Sequence, residues 1–409
     1  MRRITVLSAL VTLGAVSFAG DWPQWQGPNR DAKCMETGLL KKWPEAGPRL
    51  LWTTEENLGK GFSTVSIADG SIYTTGLHGK DGWLYALDLE GTLRWKQKYG
   101  VEYQKFGKGA RTTPTVDGDR VYIMSGMGLA ACYEAKTGKR IWAVDTFKKF
   151  GGRQITWGIA ESPLVVDDKV VLTPGGPDAV MVALNKLTGE TIWQTRGLDN
   201  KSAYVSPLRI KEGKKDLIVT MTDNHIIGVR SKDGTLLWKH PYRGQCQAHV
   251  NTPVYHDGQV YITSGYNAGG VMMKLSDDGE QCEVLWKDDN LDVHHGGVVL
   301  VDGHIYGANW HSNRIGNWIC LDWKTGEVKY DTRWQCKGSI LYAEGMLYCY
   351  EEKGGTVGLV ECTPKGFKVV STFKVTQGEG QHWGHPVIAH GRLYIRHGSK
   401  LMCYDVKAN

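Results

Sequence analysis

ALNKLTGETIW, residues 183–193, decides the fold. Alternating apolar positions, a turn carrying Thr188-Gly189 and a second run ending at Trp193 describe a hairpin whose last strand closes on tryptophan. The phrase recurs. LYALDLEGTLRW ends at Trp95, ACYEAKTGKRIW at Trp142, IIGVRSKDGTLLW at Trp238 and MMKLSDDGEQCEVLW at Trp286. CLDWKTGEVKY puts Tyr330 in the same slot. Self-similarity at a fixed period marks a repeat architecture, in which each unit buries its apolar face by stacking on the next.

A second hairpin precedes each copy. STVSIADGSIYTTG, residues 63–76, sets an Asp-Gly turn between alternating apolar runs, and equivalent hairpins restart at residues 113, 162, 206, 252, 297, 339 and 385. Eight starts at a period of about 43–51 residues fall in the propeller range. The last start is followed only by LMCYDV, residues 401–406, which leaves one unit a strand short. Arg49-Leu50-Leu51-Trp52 reads as an orphan final strand. The expected fold class is all-β: an eight-bladed β-propeller of four-stranded antiparallel blades, closed by an N-terminal strand that completes the last blade. Closure from both termini removes exposed sheet edges. The seventh unit is the most degenerate, with Phe373 in the tryptophan slot.

Composition agrees. The chain has 409 residues, longer than one globular core usually reaches, and is rich in Gly (52) and Trp (16). No long stretch shows an apolar stripe at helical spacing. The net charge of +6 is spread among interleaved acids and bases with no basic run, so nucleic acid is not an expected partner. Residues 1–19 read as a signal peptide: Arg2 and Arg3, an apolar core over 4–16, then Ser17-Phe18-Ala19 as a small-x-small cleavage site. No other segment is apolar enough to span a bilayer. No cysteine stands at the junction, so a lipid anchor is not expected. The expectation is export through the secretory pathway to the periplasm or beyond, as a monomer. Residues 20–48 form a segment that wraps over a face, and 49–409 form the single propeller domain. The nine cysteines include no CxxC or adjacent pair, which excludes attached haem and a CxxC zinc ribbon. Cys132, Cys320 and Cys403 occupy the slot of Ala86 and Ala183 and read as small buried residues.

The pairing of [ST]PxxxDGxxY with (A/C)LDxxTGxxxW resembles the pyrroloquinoline-quinone-type (PQQ-like) propeller repeat over nearly the whole chain after the leader. That resemblance implies that each tryptophan and Thr-Gly turn dock neighbouring blades. The family includes quinone-dependent alcohol dehydrogenases, the propeller lipoprotein of outer-membrane protein assembly, and exported propellers of unassigned role that open like DWPQWQGPNRD, residues 21–31. Two features set this chain apart: it lacks the vicinal cysteine pair of the large quinone enzymes and the lipidated cysteine of the assembly protein.

Loops converge on one face of a propeller, around the channel, and that face is the expected site. Just ahead of the innermost strands the chain carries Gly61, Gly109, Ile159, Ala203, His249, His294, Cys336 and His382. The last four, from consecutive blades, are metal-ligand types and define a candidate transition-metal site for Zn or Cu. Lys60, Arg111, Trp157, Glu161, Tyr204, Asn251, His295, Lys337, Trp383 and His385 are the candidate ligand-binding residues. Trp157, Tyr204 and Trp383 can stack on a sugar or another planar ligand. Glu161 is either a general base or a hydrogen-bonded strut. Strand alternation sends His294 and His295 to opposite sides. The loop over 310–318 is expected to overhang the face. No catalytic set emerges, so the reading leans away from an enzyme. It favours binding of a small molecule, a carbohydrate or an envelope protein, with a quinone-dependent oxidoreductase and an assembly scaffold as alternatives.

Overall fold

The computed structural model describes residues 20–408, and the signal peptide assigned to 1–19 lies outside the described residues. Eight antiparallel sheets surround a central channel. Blade 1 comprises Ser66–Ala68, Ser71–His78, Asp81–Asp88 and Leu93–Val101, innermost to outermost. The next six repeat that order. In blade 8 the outermost strand is Arg49–Thr53, which pairs antiparallel with Lys400–Asp405 through Leu50 and Tyr404. The orphan strand thus closes the ring, as its sequence required.

The repeated tryptophan explains how blades dock. The Trp193 indole donates to the Ser231 carbonyl at 3.1 Å. Its ring covers Gly234, where an added Cβ would stand 2.5 Å from it. Trp52 of blade 8 does the same over Gly91 of blade 1, and Trp95 over Gly138. These turn glycines have positive φ (+76° at Gly234), so they serve both the turn and the ring that presses on it. In the seventh blade Phe373 replaces the indole and packs on Gly47, just ahead of the closing strand. Trp43 fills the remaining space, its ring 5.1 Å from Phe373. Gly234→Ala should therefore cost about 2 kcal/mol in urea unfolding, from overpacking plus left-handed strain. A change below 0.5 kcal/mol would show that the indole moves freely.

Residues 20–48 add no blade of their own. The stretch over 21–36 starts at the turn face, where Asp21 accepts from the Asp69 backbone N–H at 3.3 Å. It climbs the channel. Trp22 and Ile67 exchange backbone hydrogen bonds in blade 1, and Pro23 accepts from Val116 of blade 2. At its apex Trp25 donates to Thr252 Oγ1 at 2.9 Å, ahead of the innermost strand of blade 5. Arg30 donates to the carbonyls of Ser162 (3.3 Å), Pro207 (3.0 Å) and Pro163, ahead of those of blades 3 and 4. The chain then returns as Lys33–Cys34, a parallel fifth strand on Gly338–Ala343 of blade 7. It leaves at Glu36, which accepts from the His390 and Gly391 N–H groups of blade 8. The segment is a plug. Beside it lies a void of about 10 Å³, lined by Trp22, Gln26, Ala32, Thr64, His385 and their neighbours, too little for more than about one water.

Candidate functional site

With the channel filled, the mouth face is what the loops can present. Its centre is built on a break in blade 6. The strand Val293–Val301 pairs with His304–Asn309 through Val293 and again from Val298, and the register shifts between them. A bulge of this kind re-aims side chains. Residues 294–297 leave the ladder, Gly297 takes φ +73°, and Asn251 of blade 5 clamps the departure. Its Nδ2 donates to the Val293 carbonyl at 2.8 Å and its Oδ1 accepts from Gly297 at 3.1 Å. The consequence corrects the alternation expected above. His294 and His295 do not point to opposite sides; their ring centroids lie 3.9 Å apart at 33°.

Both rings face Glu352, in the loop after the second strand of blade 7. Glu352 Oε2 lies 3.8 Å from His294 Nδ1 and 3.6 Å from His295 Nδ1. Its other oxygen, Oε1, takes Lys337 Nζ at 2.5 Å, and Lys337 also donates to the Ser312 carbonyl at 2.9 Å. Burial pushes the Glu352 carboxyl up, but the facing His294, His295 and Lys337 outweigh it and hold it at about 2. Burial, with His294 adding to it, drives His295 well below its ordinary value. Tyr266 OH meets His294 Nε2 at 2.9 Å, and His385 Nε2 meets the His295 carbonyl at 2.8 Å. The loop over 310–318 lies over this cluster through Ser312.

An aromatic path continues outwards. His295 lies 4.6 Å from Trp383, which lies 4.8 Å from Phe62. Arg111 stands 4.9 Å over Tyr103 and 5.7 Å over Phe62, and donates to the carbonyls of Gly109, Phe106 and Gly107. Tyr266 pairs with Trp310 at 4.9 Å on the other side.

The remaining candidates are scattered. His249 is buried against Tyr242 at 4.9 Å, and burial lowers it to about 4. His382 stacks on His397 at 3.8 Å and meets Tyr350 OH at 2.5 Å. Cys336 donates its Sγ to the Arg314 carbonyl at 3.3 Å. Among the described residues, the His, Cys and carboxylate side chains close enough to share an ion are His294, His295 and Glu352. His249, Cys336 and His382 do not join them. Equivalent slots in neighbouring blades lie around a ring: His249 is packed on Tyr242, while Cys336 and His382 hydrogen-bond within their own surroundings. Glu161 is a strut, both oxygens accepting from the Thr173 N–H at 2.9–3.0 Å. Trp157 and Tyr204 pair with each other at 5.7 Å, and Tyr204 is buried. Lys60 is exposed in a polar groove of about 310 Å³ with Asn57, His78, Lys108, Glu379 and Ser399.

Glu352 and Tyr266, in loops between second and third strands, were not foreseen, whereas Trp310 belongs to the loop expected to overhang the face. The available signal was Glu351-Glu352, where sister loops carry Ser125-Gly126 or Ser264-Gly265.

A quinone seated in this channel does not fit. The plug holds that space, and Glu161 is fully buried against the Thr173 N–H. The mouth cluster, with two imidazoles and one carboxylate, is too nitrogen-rich for the calcium that takes oxygen ligands.

The sequence profile described as outer membrane protein assembly factor BamB (PQQ_2) matches residues 80–332. A quinoprotein ethanol dehydrogenase of Pseudomonas aeruginosa is 28% identical over 303 residues, 65% of this chain and 47% of that protein. The chain thus spans about half the length of that relative. An outer membrane protein assembly factor BamB of Nitrosomonas eutropha is 34% identical over 97 residues, 22% of this chain and 23% of that protein. Among solved structures, the quinohemoprotein alcohol dehydrogenase of Comamonas testosteroni superposes with TM-score 0.70 at 12% identity, over 95% of this chain and 81% of that one. BamB of Moraxella catarrhalis gives 0.63 at 14% identity, over 88% and 98%. At these identities the structures speak for the fold alone.

Proposed function

The chain belongs to the PQQ_2 family of propellers, and from that membership we propose that it is an exported envelope protein that captures a protein partner on its mouth face, without a quinone of its own. The observation that carries this reading is the plug. A channel filled from within by residues 21–36 leaves the mouth as the working surface. Partner binding is the role that suits a rigid ring of loops around a filled channel. The mouth loops carry exposed apolar side chains: Phe106 is 64% exposed, Ile315 42% and Met127 38%. Phe106 and Ile315 flank the aromatic path through Arg111, Trp383 and Trp310. Such residues favour a partner with an apolar patch of its own. The similarity to an assembly factor supports the same class of partner. Residues 1–19 supply the export signal, and no helix among the described residues is long and apolar enough to cross a membrane.

A photo-crosslinking residue at position 106 or 315, in full-length protein in its exporting cell, should give one and the same discrete protein adduct. The same probe at Met35, 80% exposed on the turn face, should give none. Adducts from position 35 alone, or none from the mouth, would refute the reading. Added quinone and calcium should produce no dye-linked oxidation of alcohols or sugars. Quinone-dependent turnover would favour the oxidoreductase alternative instead.

A further inference from the structure

We propose that His294, His295 and Glu352 form a binding site for a divalent late transition metal of the Zn²⁺ class at the mouth of the plugged channel. The site stands independently of partner capture, and either can fail alone. Its first support is spacing. A tetrahedral ion with bonds of about 2.0–2.2 Å holds its ligand atoms roughly 3.3–3.6 Å apart. Glu352 Oε2 lies 3.6 Å and 3.8 Å from the two Nδ1 atoms, so sub-ångström adjustment brings the three into register. The candidate ligand atoms all fall within 4.8 Å of one another.

The second support is unmet bonding. His294 Nδ1, one of the three ligand atoms, is buried and has no hydrogen-bond partner. Buried ring nitrogens are ordinarily hydrogen-bonded, and an unpaired one costs about 1–3 kcal/mol. Such an atom, on a ring brought beside His295 and Glu352 by a bulge that Asn251 clamps, makes an arrangement that a metal would repay.

The surroundings divide the labour as metal sites do. Tyr266 OH holds His294 Nε2, which fixes the ring with its Nδ1 lone pair towards Glu352. Lys337 engages Oε1 and leaves Oε2 to face the imidazoles. It is also the counter-ion that keeps Glu352 ionised without metal. The His385 contact to the His295 carbonyl steadies the backbone. Two imidazoles and one carboxylate are a borderline donor set, suited to Zn²⁺ with water completing the shell.

The experiment strips the full-length protein of metal and titrates it with Zn²⁺ against a chromogenic chelator. One equivalent should bind. Glu352→Gln and His294→Ala should each weaken binding by at least 100-fold, and Tyr266→Phe by about 10–100-fold, as expected for an outer-shell partner. Circular dichroism shows whether each variant is folded, and Glu352→Gln keeps the side-chain shape if His294→Ala does not fold. Cys246→Ser, which removes the exposed thiol, should leave binding intact. Substitution with Co²⁺ should give visible d–d bands without thiolate charge transfer. Absence of stoichiometric Zn²⁺, undiminished affinity in Glu352→Gln, loss in Cys246→Ser or a thiolate band would each overturn the site.

Discussion

Arg30→Ala lowers the stability of the propeller by on the order of 4 kcal/mol in urea unfolding followed by tryptophan fluorescence, and it exposes the plug to trypsin. The guanidinium is buried at the apex of the plug. It donates to Gln24 Oε1 at 2.9 Å and to the carbonyls of Ser162, Pro163 and Pro207. Those carbonyls lie ahead of innermost strands, where no ladder partner reaches them. Truncation orphans the Ser162 and Pro207 carbonyls at about 1–3 kcal/mol each, leaves Pro163 with the Thr115 hydroxyl alone, and opens a cavity. One term opposes this. Burial lowers the Arg30 pKa to about 9 against the raising influence of Glu161, so the native state already bears a desolvation cost that the variant recovers. No carboxylate lies within ion-pair distance of Arg30 among the described residues, so the carbonyls decide the sign. The lost acceptors outweigh the recovered desolvation because they span two blades and the plug together.

Arg30→Lys separates charge from geometry. A lysine keeps the charge but offers a single donor point where a planar fork serves several carbonyls. It should recover less than half of the loss. Full recovery would mean that charge alone holds the plug. A change below 1 kcal/mol in Arg30→Ala, with no faster cleavage near Lys33, would mean that the plug is pinned elsewhere.

The frame of this protein was legible because repetition is a redundant signal. Thr188-Gly189 and Trp193 mean little once, but at Gly138, Gly234 and Gly326 the same turn meets a preceding indole, and any one copy predicts the others. Ring closure was legible for the same reason, since Leu50 to Trp52 could only be the missing strand. The plug was harder to foresee. DWPQWQGPNRD has the prolines and tryptophans of a covering segment. Its path depends on which carbonyls the blades leave open, a property of the assembled ring that no local pattern encodes.

The site divided along similar lines. His294, His295, Lys337, Asn251 and Trp383 were marked by position, since they lead into innermost strands. Their grouping turned on the bulge, which sequence periodicity conceals: strict alternation separates two consecutive histidines, and only the shift between Val293 and Val298 brings the rings together. His249, Cys336 and His382 share the slot of His294 but not its backbone. They lie in loop backbone ahead of their strands and face Tyr242, Arg314 and Tyr350 instead.

Glu161→Gln removes one falling component from the pH dependence of stability between about pH 4.5 and 8, opposite in sign to the rise from the buried histidines. Burial raises the Glu161 carboxyl to about 8, against hydrogen bonds from Thr173 and the charge of Arg30. The folded state therefore retains a proton that the unfolded chain gives up near its ordinary value. The associated stability is fully present below about pH 4.5 and is lost as pH rises through 8. The separation sets a loss on the order of 4 kcal/mol for this group. Glutamine imitates the neutral acid and keeps a carbonyl oxygen for the Thr173 N–H. At pH 5 the variant should match the native protein, and at pH 8.5 it should be more stable by about 3 kcal/mol. Glu102, also raised by burial, adds slope of the same sign that the substitution leaves in place, so the difference between the two curves isolates Glu161. Parallel curves would show that Glu161 ionises freely in the fold. Arg30 couples to this titration, because its charge, after the Thr173 hydrogen bonds, also restrains the shift. In an Arg30→Ala background the native carboxyl should titrate higher still, and the benefit of Glu161→Gln at pH 8.5 should grow. The two substitutions are thus non-additive in a direction that a simple loss of packing would not produce.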